Sequence, residues 1–279
     1  MQTIQWYPGH MTKAIRMMKE NISLVDAAVY ILDARVPAAC LNPDFVTLLN
    51  GKPVLMLLNK SDLAEKAKTD AWVEYFKRQG IVARAICATS RSVAGAVTSG
   101  LKSVLAEKIA RNEAKGVKKP MRAMVIGIPN CGKSTVINSV AGGKRALTGD
   151  KPGVTKGKQW IRLDTGIELL DTPGTLWRAF EDQQIARHLA YIGSINDEIL
   201  DLGGLCICLL EELYARYPGA VAARYKIEEG DPVQGFTDIC KRRGFVVRGG
   251  ELDYERGARA VLDDFRKGRI ALATLEDPS

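Results

Sequence analysis

The sequence predicts an α/β fold: a six-stranded, mostly parallel sheet flanked by helices, with a C-terminal all-helical domain. Three observations lead to it. Gly127-Ile128-Pro129-Asn130-Cys131-Gly132-Lys133-Ser134 matches Gly-x4-Gly-Lys-[Ser/Thr] and sits between an apolar stretch of strand length and the start of a helix. Strand-like runs occur at 27–33, 54–58, 81–86, 123–128, 159–163 and 167–170, enough for such a sheet. Beyond about residue 178 the apolar spacing becomes helical and no further phosphate motif occurs, which divides the chain into 1–177 and 178–279.

The glycine-rich stretch reads as a phosphate loop. Its glycines let the backbone N–H groups of Asn130, Cys131, Gly132, Lys133, Ser134 and Thr135 curl around phosphate oxygens at a helix N-terminus. Lys133 would neutralise the β- and γ-phosphates, and Ser134 would hold Mg²⁺. Asp171-Thr172-Pro173-Gly174 follows a strand. Its aspartate suits a water-mediated Mg²⁺ contact, and the Gly174 N–H would sense the γ-phosphate. Thr155, in the polar loop Pro152-Gly153-Val154-Thr155, is the candidate for a second Mg²⁺ ligand. Asn59-Lys60-Ser61-Asp62 closes the apolar run 54–58 and selects guanine. There Asp62 accepts from guanine N1–H and the 2-amino group, Asn59 braces the pocket and the Lys60 stem covers the base. GTP is therefore the expected substrate.

The motif order is rotated: base recognition comes first, the phosphate loop next, the γ-phosphate sensor last. A circularly permuted P-loop GTPase domain is the simplest account, because the ends of such a domain lie close together at the surface. With Trp6-Tyr7-Pro8-Gly9-His10-Met11 and Asp33-Ala34-Arg35-Val36-Pro37 added, these motifs closely resemble the circularly permuted YlqF-type GTPases. The resemblance is strong over 1–177 and looser beyond. It implies Mg²⁺-dependent GTP hydrolysis coupled to late assembly of the large ribosomal subunit, with a helical domain that contacts ribosomal RNA. It also implies K⁺ as a second cation reached by the Asn130 side-chain oxygen; an asparagine suited to a positive-φ turn is the other reading. Ras-like enzymes orient the attacking water with a glutamine where this chain has Thr175, followed by Leu176. The resemblance points to His10 for that task and to a hydrophobic residue where Thr175 stands. His10 as a helix-start residue is the alternative. A GTP-binding RNA scaffold with negligible turnover and a GTPase of tRNA modification are the rival functions.

The remaining elements follow in order. Met11, Ile15, Met18 and Ile22 make one apolar stripe on a helix over 10–23, with Lys13, Arg16 and Lys19 off it. Trp6-Tyr7-Pro8 should pack on the GTPase domain. Asp33-Ala34-Arg35 either borders the nucleotide or forms an ion pair that orders its loop. A helix over 63–80 closes at Gly80. Cys87-Ala88-Thr89-Ser90 stands where GTPases offer a backbone N–H to the guanine oxygen, with Ala88 as the matching residue. Val97, Leu101, Val104, Leu105 and Ile109 mark another helix, and 110–120 is a charged connector. Cys131 is either a small filler or a thiol activated by a helix N-terminus. His188 reads as structural or surface. A helical stripe runs from Ile195 to Leu213, with Gly203-Gly204 expected to kink it. Tyr254, Ala258, Val261, Leu262 and Phe265 mark the last helix.

The net charge of +8 over 279 residues suits a polyanionic partner, although a merely basic protein has the same charge. Lys241, Arg242, Arg243, Arg256, Arg259, Arg266, Lys267 and Arg269 form the candidate RNA surface. No signal peptide is read at the start, and the apolar run 205–210 is too short to cross a bilayer. The six cysteines have neither zinc-ligand nor disulfide spacing. The expectation is a cytoplasmic protein, monomeric off the ribosome, acting on the precursor of the large subunit and its rRNA, with no membrane or DNA partner.

Overall fold

The computed structural model describes residues 3–49, 51–117, 119–143, 159–163 and 165–278. The chain runs α1 (Gly9–Asn21), β1 (Ala27–Asp33), α2 (Pro43–Leu49), β2 (Val54–Asn59), α3 (Lys66–Arg78), β3 (Val82–Ala85), α4 (Val93–Val104) and α5 (Ala106–Ala114). Then come β4 (Met121–Gly127), α6 (Lys133–Val140), β5 (Gln159–Arg162) and β6 (Ile167–Asp171). The helices α7 (Gln183–Tyr191), α8 (Leu202–Arg216), α9 (Ala220–Tyr225), α10 (Pro232–Arg242) and α11 (Tyr254–Arg266) complete it.

The strands form one sheet in the order β3-β2-β1-β4-β6-β5, parallel throughout except for the β5–β6 pair. Every residue of β1 is buried. Helices cover both faces of such a strand, which is why it reads as a continuous apolar run and not as an alternating one. Each expected strand is present within three residues of its expected bounds. In α1, Met11, Ile15 and Met18 are buried as the stripe requires, whereas Lys13, Arg16 and Lys19 are exposed. Ile22 lies just past the helix, in the 3-10 turn Ile22–Leu24.

Three features beyond the sheet were not expected. Gly203 and Gly204 do not kink a long helix. They lie in the first turn of α8, where the Gly204 N–H donates to the Asp201 carboxylate; the helical stripe upstream is a separate short turn, Asp197–Ile199. A helix start tolerates glycine because its first N–H groups have no intrahelical partner. The opening segment does not pack on the sheet domain alone. Ile4 N donates to Gln183 Oε1 at 2.8 Å, Gln5 exchanges hydrogen bonds with the Phe180 backbone, and Thr3–Trp6 share a cavity of about 340 Å³ with Ile199, Leu200 and Leu205. Finally, the stretch after α11 runs back as a strap. Ala273 N donates to Leu63 O, Leu275 N to Arg35 O and Thr274 Oγ1 to Ala34 O. Within the helical segment, α8 is the central element, with Leu205, Cys206, Leu209, Leu210 and Leu213 all buried.

Candidate nucleotide site

Because β3, β2, β1, β4 and β6 run parallel, their C-terminal ends share one edge of the sheet. That edge is where ligands bind in open α/β sheets. It gathers Asp33, Asn59, Gly127 and Asp171 from four strand ends that are remote in sequence.

Three side-chain donors hold the carbonyl groups of the phosphate loop. Lys133 Nζ donates to Ile128 O at 2.7 Å, Lys60 Nζ to Asn130 O at 2.7 Å and Asn59 Nδ2 to Cys131 O at 2.8 Å. These bonds fix the loop at the N-terminus of α6, where its N–H groups would form an anion-binding nest. Gly132 has φ +96°, and a Cβ there would collide with Asn59 Nδ2, so the close approach of base loop and phosphate loop requires glycine. Asn130, with φ +58°, takes the positive-φ turn that was its alternative reading, and its Nδ2 donates to Gly193 O at 2.6 Å. Cys131 is fully buried, and burial pushes its thiol up despite Lys133 and Lys60. That corrects the activated-thiol reading: the residue is a filler.

Asn59 joins the base motif to the rest. Its Oδ1 accepts from Ala88 N at 3.0 Å while its Nδ2 holds the phosphate loop. The Ala88 N–H donates to Asn59 here, so Ala88 braces the base loop. Asp62 is exposed at this edge. Lys60, at φ +59°, reaches back to the phosphate loop and pairs with Asp33 at 3.0 Å. Burial alone would raise the Asp33 pKa, but the bidentate Arg35 guanidinium and Lys60 hold it well below the usual carboxylate range. The ion-pair reading of Asp33-Ala34-Arg35 is the one the structure has.

Asp171 is wholly buried, and among the described residues neither carboxylate oxygen has a hydrogen-bond partner. Burial pushes it up to about 6, against the attraction of Lys133. A buried carboxylate with both oxygens unpaired has the chemistry of a cation ligand. Asp171 is thus a residue that could hold Mg²⁺, with Ser134, in the first turn of α6, the other candidate. Gly174 adjoins the same place: a Cβ on it would lie 2.8 Å from Lys133 Nζ and 2.7 Å from the Pro129 backbone. Thr155 and the whole of 152–155 lie outside the described residues. Thr175 is buried with its hydroxyl unpaired among the described residues, and Leu176 beside it is fully buried. His10 is exposed at the start of α1, and its neighbour Met11 accepts from Leu176 N through Sδ at 3.4 Å. That contact puts His10 one residue from a side chain touching the segment after Gly174.

Sequence reasoning missed Ser194 and Gly193, which reach the phosphate loop from the turn after α7. Nothing local marks them. It also placed Arg266 on an RNA surface, whereas the side chain is spent internally: it donates to Ala190 O and Tyr191 O and pairs with both oxygens of Asp197. Lys241, Arg242 and Arg243 remain exposed.

A guanine-type base loop preceding the phosphate loop in the chain, yet beside it in space, defines a circularly permuted GTPase. Comparison with known proteins agrees. Residues 122–211 match the family described as 50S ribosome-binding GTPase. The chain is 44% identical to "Ribosome biogenesis GTPase A" of Priestia megaterium, covering 99% of this chain and 98% of the relative. It is 32% identical to the protein of that name from Thermotoga maritima, over 99% and 95%. The chain belongs to the ribosome biogenesis GTPase A family. The crystal structure of GNP-bound YlqF from T. maritima superposes with a TM-score of 0.65 at 29% identity, covering 96% of this chain and 99% of that one.

Proposed function

We propose that this GTPase is a switch in assembly of the large ribosomal subunit, which binds rRNA-rich particles in its GTP state and leaves them on hydrolysis. The observation that carries the nucleotide half of the reading is the Asn59 amide, which ties base loop, phosphate loop and Ala88 together across the sheet edge. The particle half is supported by the relatives' name and the matched family's description.

In this reading the loop N–H groups and Lys133 hold the phosphates, Asp62 selects guanine, and the Gly174 N–H senses the γ-phosphate. Mg²⁺, held by Ser134, Asp171 and Thr155, would neutralise charge that builds on the transferring phosphoryl group. The Asn130 oxygen is the group of suitable chemistry for K⁺, and His10 orients water. Lys241, Arg242 and Arg243 contact rRNA phosphates. The protein acts in the cytoplasm, as a monomer when off the particle; among the described residues no helix is long and apolar enough to cross a membrane.

The test is co-sedimentation with large-subunit precursors against salt. The GTP-analogue form should bind more tightly than the GDP form, and by linkage particles should tighten analogue binding. Changing Lys241, Arg242 and Arg243 to Ala should flatten the salt dependence. Equal binding of both nucleotide forms would remove the switch, and an unchanged salt slope would remove the RNA surface.

A further inference from the structure

The phosphate loop has one more carbonyl to hold, and its donor comes from elsewhere. Ile128, Asn130 and Cys131 are served by Lys133, Lys60 and Asn59, all from the sheet domain. Pro129 O lies between them and accepts from Ser194 Oγ at 2.7 Å. Ser194 is wholly buried and lies in the turn that follows α7. Next to it, Gly193 O accepts from Asn130 Nδ2. Two consecutive loop residues are thus gripped by two consecutive residues of the helical segment.

The grip is itself anchored. Gly193 has φ +77°, and a Cβ there would lie 3.3 Å from the Arg266 guanidinium. Arg266 closes the end of α7 through Ala190 O and Tyr191 O, and its own carbonyl accepts from Arg35 Nη1. Arg35 binds Asp33, Asp33 pairs with Lys60, and Lys60 returns to Asn130 O. Hydrogen bonds and ion pairs therefore link the phosphate loop, the base motif and the helical segment, with the neutral Asn130–Gly193 bond beside the charged Arg266, Arg35, Asp33 and Lys60.

We propose that Ser194 is a positioning residue for the phosphate loop, through which the helical segment sets how long a guanine nucleotide stays bound. The proposal rests on reading 127–134 as the nucleotide site. If the Pro129 carbonyl loses this partner, the loop is held less firmly, and the bound state should loosen without loss of the fold. One hydrogen bond of ordinary strength corresponds to roughly a five- to tenfold change in a rate.

The test uses the full chain and a fluorescent GDP analogue. Ser194→Ala should release it about tenfold faster than the parent, with Ser194→Cys, a weaker donor of similar size, in between. Glu229→Ala serves as the control: Glu229 caps α9 by accepting from Gly219, Val221 and Ala222, away from the loop. That variant should lower the melting temperature and leave the release rate alone. Release from Ser194→Ala within twofold of the parent overturns the proposal, as does equal acceleration in Glu229→Ala. Should Ser194→Ala fail to fold, Ser194→Cys decides by the same comparison. If Asp62→Asn exchanges guanine for xanthine specificity while Ser194→Ala changes nothing, only the positioning role falls. If the parent does not bind the analogue, the site reading falls and takes this one with it.

Discussion

His188 offers a prediction whose size follows from the structure. Its ring is 2% exposed, with Nδ1 2.7 Å from Glu276 Oε1 and Nε2 2.9 Å from Glu212 Oε2. Glu276 also accepts from Ala38 N and Ala39 N, so the histidine fastens α7 and α8 to the strap and, through it, to the loop after β1. Burial alone would depress the imidazole pKa, but the two carboxylates overcome it and raise it from 6.5 to about 9. A folded-state pKa above the unfolded one means that the native form binds the proton more tightly. The stabilisation is therefore complete below about pH 6.5 and disappears as pH rises through 9. At about 1.36 kcal/mol per pKa unit, the whole effect is about 3 kcal/mol, of which about 2 kcal/mol remains at pH 7.5. Urea midpoints of the parent and of His188→Gln, followed by circular dichroism from pH 6 to 10, would measure it. Taking the difference removes the lysines and tyrosines that titrate in both proteins. The gap should be widest near pH 6 and close towards pH 10. A gap that stays constant across that range, or widens, would refute the cationic clasp.

Three further outcomes follow from the nucleotide site. Asp62→Asn should lose GTP affinity by at least tenfold and gain affinity for xanthosine triphosphate in an equilibrium titration; unchanged GTP binding would remove Asp62 from base selection. Hydrolysis should run faster in K⁺ than in Na⁺, a preference that Asn130→Ala abolishes, because an added cation stabilises charge built up in the transition state. Equal rates in both salts would count against it. His10→Ala should lower particle-stimulated kcat by roughly 10²-fold while leaving nucleotide affinity nearly unchanged; a normal kcat would leave the histidine a helix-start residue.

The sheet was legible in the sequence because each strand carries its evidence locally, as an apolar run ended by a polar motif. The rotated motif order already implied which strand ends must meet. Asn59, Gly132 and Asp171 were readable for the same reason: their residue types are required by chemistry at a fixed offset from a strand. What escaped depends on partners far away in the chain. His188 looked unremarkable because Glu276 lies 88 residues on, and Arg266 looked like surface charge because Asp197 and the end of α7 are about as distant. The bond from the Ala88 N–H to Asn59 was not readable either, because a backbone donor leaves no mark in residue type. The glycines at 203 and 204 were read by intrinsic propensity, which says nothing about where in a helix they fall.

The strand order has a consequence for how the protein holds together. The strands β3, β2 and β1 all come from the first third of the chain, and β4, β6 and β5 all from the middle. The sheet is thus two contiguous three-stranded leaves joined along a single seam, the β1–β4 pairing. The base motif belongs to one leaf and the phosphate loop to the other. A nucleotide that bridges them acts as a rivet across the seam, and its binding energy becomes cohesion between the leaves. Cutting the polar connector between Gly116 and Val117 should therefore leave two fragments whose reassembly depends on guanine nucleotide.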